Sequence, residues 1–147
     1  MMVRTSRAST AQLAVALRDS ITRLNRRLRR ARPMGDLTIT QLSALTSLEL
    51  AGALSPRELA EVERVQPPTL TKIVAKLEER GLVQRAPHPT DGRQVILSTT
   101  AAGQAVVSEN RRARDEWLAK ELAGLTADER ETLSRAAEIL GRISRRS

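Results

Sequence analysis

Six stretches of apolar residues at three- and four-residue spacing, two short runs around a turn-rich loop, and a near absence of aromatics predict a mainly α protein with a small β-hairpin. The chain of 147 residues has no Phe, no Tyr and one Trp. That argues against a β-sandwich, whose strands favour aromatic side chains. The length suits one domain, or one domain with an appendage.

Residues 1–9 are polar, basic and patternless, the composition of a disordered terminus. They make a poor signal peptide, because Arg18 and Asp19 follow the short apolar stretch 13–17 at once. A helix is expected from Thr10, with Leu13, Leu17, Ile21, Leu24 and Leu28 on one face and Pro33 and Gly35 stopping it. Thr38 opens a second helix with Leu42, Leu45, Leu48 and Leu50 inward, and Gly52 ends it. Ser55-Pro56-Arg57-Glu58 is a capping box with Pro at the first helical position. The short third helix that it opens carries Leu59, Ala60 and Val62. At Val65-Gln66-Pro67-Pro68, Gln66 sits near the cap and the prolines take the first turn, where an N–H would lack a partner anyway. A fourth helix over 69–80 puts Leu70, Ile73, Val74 and Leu77 on one face, and Gly81 caps it.

Residues 82–86 and 93–97 read as two strands joined by Pro87-His88-Pro89-Thr90-Asp91-Gly92. Thr100 caps a long helix to about residue 123, with Ala105, Val106, Trp117, Leu118 and Leu122 among its apolar positions. Gly124 breaks it, and Thr126-Ala127-Asp128-Glu129 is a second capping box. The last helix carries Leu133, Ala136, Ala137, Leu140 and Ile143.

Helix, short helix, tight turn, helix and hairpin make residues 38–98 a winged helix-turn-helix, with the fourth helix as candidate recognition helix. Opposite its inward face stand Pro68, Lys72, Ala75 and Glu79, flanked by Thr69, Thr71 and Lys76. A short-polar face with two Lys suits a major groove. By helix chemistry alone it equally suits solvent, and the hairpin behind it tips the balance towards DNA.

The sequence here resembles the multiple-antibiotic-resistance-regulator (MarR) family over roughly residues 36–145. Thr69-Leu70-Thr71-Lys72 and Leu77-Glu78-Glu79-Arg80-Gly81-Leu82-Val83 are similar to the family's Thr-Val-Ser/Thr-Arg and Leu-Glu-x-x-Gly-Leu-Val. Arg85 through Asp91-Gly92-Arg93 matches its Arg…Asp-x-Arg wing. Leu37-Thr38-Ile39-Thr40-Gln41 and Thr100-Ala101-Ala102-Gly103 resemble the start of its second helix and its post-wing Thr-x-x-Gly. The sequence departs from the pattern at Arg64, where Gly is frequent in the turn. It departs again at Pro67 and Pro68, which remove N–H groups that could hold a phosphate. Side chains of Gln66, Thr69, Thr71, Lys72 and Lys76 must then compensate.

The resemblance implies a homodimer in which helices from both chain ends pair with a second copy and two wings reach half-sites of a palindrome. The pattern supports this independently, since the first, fifth and sixth helices are amphipathic outside the winged unit. The expected organisation is an N-terminal basic segment and dimerisation helix over 1–35, the DNA-binding domain over 36–98, and C-terminal dimerisation helices over 99–147. The residues expected to meet DNA are Gln66, Pro68, Thr69, Thr71, Lys72, Lys76, Arg85, Asp91 and Arg93. An Arg at a wing tip can enter the narrow minor groove, and Asp91 and Arg85 could orient Arg93 by charge-assisted hydrogen bonds. The plainer reading is a stable Asp-Gly turn with a surface ion pair. His88 reads as a solvated loop residue rather than a ligand or base.

Twenty-five Lys and Arg against 17 Asp and Glu give a net charge of +8. Residues 1–35 alone hold +8, residues 36–65 hold −3, 66–98 hold +2 and 99–147 hold +1. Such a bias fits a polyanion partner. The row Arg23, Arg26, Arg27, Arg29, Arg30 and Arg32 is either a solvated face or an approach to DNA phosphate or an anionic ligand. With no Cys there are no disulfides, thiolate sites or thiol redox chemistry, and one His precludes a multi-histidine zinc site. No apolar run approaches a membrane span. No catalytic arrangement stands out, and Glu58 and Glu129 are accounted for as helix caps.

The expected function is a cytoplasmic, sequence-specific, double-stranded-DNA-binding repressor without metal or cofactor, not an enzyme and not a membrane protein. From the resemblance alone, a small lipophilic or phenolic anion between the dimer helices and the winged domain releases it. The rivals are a non-sensing architectural DNA binder and a helical protein-interaction adaptor.

Overall fold

The computed structural model describes residues 9–31 and 37–146. The expectations for residues 1–8 and for Arg32, Pro33 and Gly35 lie outside them. The order is α1 (Thr10–Arg30), α2 (Ile39–Ala51), α3 (Pro56–Glu63), α4 (Pro67–Glu79), β1 (Val83–Pro87), β2 (Val95–Thr99), α5 (Ala101–Ala123) and α6 (Ala127–Ser144). This is the mainly α chain with one hairpin that the sequence predicts. Its residues gather into two compact units, 33–112 and 1–32 with 113–147.

The helix starts are set locally. Ser9, Thr38, Ser55 and Thr126 each accept the backbone N–H three residues on, while Gln12, Gln41, Glu58 and Glu129 accept the N–H of the cap in return. Each box satisfies an orphan donor of the first turn. The backbone N–H of Ser55, and likewise that of Thr126, holds Glu58 and Glu129 below the usual carboxylate range, because the ionised form accepts better.

In the unit of residues 33–112, α2, α3 and α4 pack around Leu45, Leu48, Leu59, Leu70, Val74 and Leu77, closed by Val83, Leu97 and Val107. Leu50, expected inward, is 75% exposed, and Val62 is 57% exposed. Each lies two residues past a buried one, about 200° round the helix. The hairpin pairs Val83 with Thr99, Arg85 with Leu97 and Pro87 with Val95, so the second strand starts two residues later than expected. Arg93 therefore stands in the loop. Gly92 has no positive φ, so Asp-Gly does not form the left-handed hairpin turn its composition suggests. Leu54 adds a bridge to the sheet, exchanging both backbone hydrogen bonds with Leu97 at 3.0 and 2.8 Å.

In the other unit, Arg27 lies over the ring of Trp117, 5.6 Å from its centroid, joining α1 to α5. Neither α1 nor α6 has a buried residue. Leu13, Leu17, Ile21 and Leu24 of α1 and Leu133, Ile139 and Ile143 of α6 all stand exposed. No helix among the described residues is long and apolar enough to cross a membrane.

Candidate nucleic-acid interface

Two left-handed residues frame α4. At its entry, Arg64 has φ 54°, the N–H of Val65 reaches the carbonyl of Ala60 (3.1 Å), and Arg64 N–H reaches Glu61 (3.2 Å). At its exit, Gly81 has φ 69°, Leu82 N–H reaches Leu77 and Gly81 N–H reaches Glu78, both at 2.9 Å. Both are Schellman caps, which stop a helix sharply. Only the second uses the residue that takes this conformation without steric cost.

The angle between α2 and α3 is held by one carboxylate. Glu63 accepts the hydroxyls of Ser43 (2.8 Å) and Ser47 (2.5 Å). Sequence reasoning missed this triad, in which Glu63 lies 20 and 16 residues from the two serines. Thr99 donates to Glu49 at 2.5 Å and ties β2 to α2.

The outward face of α4 is open. Gln66 is the N-cap but makes no side-chain capping bond, and Pro67 and Pro68 fill the first turn. Gln66, Pro68, Thr69, Thr71, Lys72 and Lys76 are all exposed. Thr71 donates its hydroxyl to the Pro67 carbonyl at 3.0 Å. Lys76 pairs with Glu79 at 3.3 Å, whereas Lys72 has no ion pair among the described residues.

The wing is built differently from the expectation. Arg85 does not reach Asp91 or Arg93; its Nε donates to Glu78 at 2.7 Å and couples β1 to α4. Paired with Leu97 across the strands, Arg85 is too far down the hairpin to steady its tip. Asp91 Oδ1 accepts the backbone N–H of Arg93 at 3.1 Å, so it holds the main chain, and the guanidinium has no ion pair among the described residues. His88, expected in solvent, is half-buried, and its Nδ1 accepts the N–H groups of Thr90 (3.2 Å) and Asp91 (3.1 Å). The structure thus brings Asp91 and Arg93 together and sends Arg85 to the recognition helix.

Between α3, its turn, α4 and β1 lies a groove of about 850 Å³. Pro56, Ala60, Leu70 and Val74 line it, with Arg57, Glu61, Arg64, Gln66, Thr71 and Arg85 at its polar positions. Arg57 and Arg64 were not among the expected site residues. The unusual Arg at the turn was the only signal for Arg64.

This geometry has close counterparts. A model of the MarR family matches residues 37–95. An HTH-type transcriptional regulator of Mycobacterium tuberculosis is 47% identical over 132 residues, 90% of this chain and 92% of that protein. The multiple antibiotic resistance protein MarR of Salmonella typhimurium is 36% identical over 99 residues, 67% of this chain and 69% of that protein. A crystal structure of a transcriptional regulator from Pseudomonas aeruginosa superposes with a TM-score of 0.81 at 33% identity, covering 93% of this chain and 97% of that one.

Proposed function

From the premise that the chain belongs to the MarR family of DNA-binding transcriptional regulators, not to an enzyme family, we propose that it is a homodimeric cytoplasmic repressor of a palindromic operator. One observation carries the reading: a recognition helix that follows the sharp Arg64 stop of α3 and is itself stopped at Gly81 turns Gln66, Thr69, Thr71, Lys72 and Lys76 outward, with Arg93 on the adjoining wing making no ion pair among the described residues. Lys72 and the short polar side chains meet bases and phosphates in the major groove. Pro68 shapes the helix start, Asp91 holds the Arg93 backbone, and Arg93 enters the flanking minor groove. Arg85 acts through Glu78, fixing the wing to the recognition helix. The DNA-reading domain is the segment 36–98, and segments 1–35 and 99–147 supply the dimer helices.

The exposed leucines and isoleucines of α1 and α6 support the dimer, since a second copy is the simplest cover for two apolar faces. A twofold pair meets successive half-sites about one helical turn apart. Bound over a promoter, it blocks polymerase. The groove between α3 and α4 has apolar walls, and since its Arg57 and Arg85 are paired with Glu61 and Glu78, Arg64 is the cation that a small lipophilic or phenolic anion would meet there. Its occupant would press on the turn that enters the DNA, and release would follow.

Selection from random duplexes followed by footprinting tests the proposal. Enrichment of an inverted repeat, protected by a dimer in sedimentation, is the expected result. A monomer at micromolar concentration, or no enriched sequence, would overturn it.

A further inference from the structure

Helix α1 carries six arginines and a single acid, Asp19. Arg18 pairs with Asp19 at 3.3 Å, and Arg27 lies over Trp117. Arg23, Arg26, Arg29 and Arg30 are exposed and have no ion pair among the described residues. Like charges three or four residues apart on a helix repel, and Arg26, Arg29 and Arg30 sit at such spacings with no acid of the helix within four residues, while Asp19, four before Arg23, is paired with Arg18.

Their direction matters as much as their number. At about 100° per residue, Arg23, Arg26 and Arg30 stand roughly 120–180° round the helix from the stripe Leu13, Leu17, Ile21, Leu24 and Leu28. A second copy covering that stripe leaves the arginine row in solvent. Arg23 to Arg30 spans about 10 Å along the axis, close to the axial rise of three phosphates on one DNA strand. Guanidinium, unlike ammonium, grips phosphate through two parallel hydrogen bonds.

We infer that this face of α1 is a second, sequence-independent contact with the phosphate backbone of duplex DNA, separate from the winged unit. The inference rests on the reading that the chain binds duplex DNA. A membrane surface fits less well. An interfacial helix buries its apolar stripe in the bilayer, whereas here that stripe is the face the dimer uses. The row adds affinity without reading bases, so it lengthens the time the dimer stays near DNA of any sequence.

The test uses the full chain and a labelled duplex of random sequence, titrated at several salt concentrations. The triple variant Arg23→Gln, Arg26→Gln, Arg30→Gln should bind more weakly, with a log–log salt slope shallower by about 0.9 for each phosphate no longer met. Lys at the same three positions should keep most of the slope. Circular dichroism and sedimentation matching the parent show that the helix and the dimer survive. If the parent binds no duplex, the functional reading fails along with this inference. If the parent binds and the Gln variant keeps the parent's slope, only this inference fails. Phosphatidylserine vesicles that retain the parent but not the Gln variant, with the duplex slope unchanged, would assign the row to membranes and overturn it.

Discussion

The carbonyl oxygen of Leu82 occupies the space that a Cβ on Gly103 would need. Thr100 draws α5 this close: its N–H donates to that same Leu82 carbonyl at 3.0 Å, and its hydroxyl donates to the Gly81 carbonyl at 2.6 Å. The hydroxyl also accepts the N–H of Gly103 at 3.1 Å. The Thr-x-x-Gly motif is therefore a clamp between the end of α4 and the start of α5. Gly103→Ala should destabilise the fold by roughly 1–3 kcal/mol, since the overlap is with backbone and not a flexible side chain. Thermal melting measures it, and an unchanged midpoint would contradict so close an approach.

Arg64 poses the opposite case, a side chain where Gly would be easier. Left-handed backbone costs a non-glycine residue about 1–2 kcal/mol, part of which Gly gives back through unfolded-chain entropy. Arg64→Gly should raise the melting temperature slightly. It should also weaken duplex binding, because the variant loses a cation beside the recognition helix. A variant both more stable and equally tight would show that Arg64 has no part in binding.

Asp91→Ala separates geometry from net charge. Removing an acid beside a polyanion should tighten binding on electrostatic grounds. Losing the bond to the Arg93 N–H should loosen the wing tip and weaken binding instead. Weaker binding, by a few-fold, is the expected outcome in isotherms at two salt concentrations.

Asn110 is 4% exposed, and neither amide atom has a hydrogen-bond partner among the described residues. An unsatisfied buried amide costs roughly 1–3 kcal/mol. Asn110→Leu should thus stabilise the protein by about 1 kcal/mol, read from chemical denaturation. A loss of stability would mean that the amide finds its partner in the dimer.

Much of the fold was legible because its signals are local. The boxes at Ser55 and Thr126, Gly81 at a helix end and the apolar faces of α1 and α4 all depend on residues within a turn or two. The exposed face of α4 followed from periodicity, so Lys72 and its neighbours were placed correctly on the outside. Pairings between distant residues carried no such signal. Nothing in the spacing of Ser43, Ser47 and Glu63 announces a shared carboxylate, and Arg85 chose Glu78 over the nearer-looking Asp91. Leu50 misled because hydrophobic character alone does not put a side chain on the buried face. His88 shows a third limit, since a ring nitrogen that accepts backbone N–H groups looks in sequence like any loop imidazole.

The central claim is that the outward face of α4 reads base sequence. It is tested most directly by equilibrium binding of the parent and Lys72→Ala to the selected operator and to a scrambled duplex. Lys72→Ala should lose roughly 1–3 kcal/mol on the operator and less on the scrambled duplex, so that the ratio between them falls. Equal affinities of parent and variant for the operator, with the fold intact, would contradict the account.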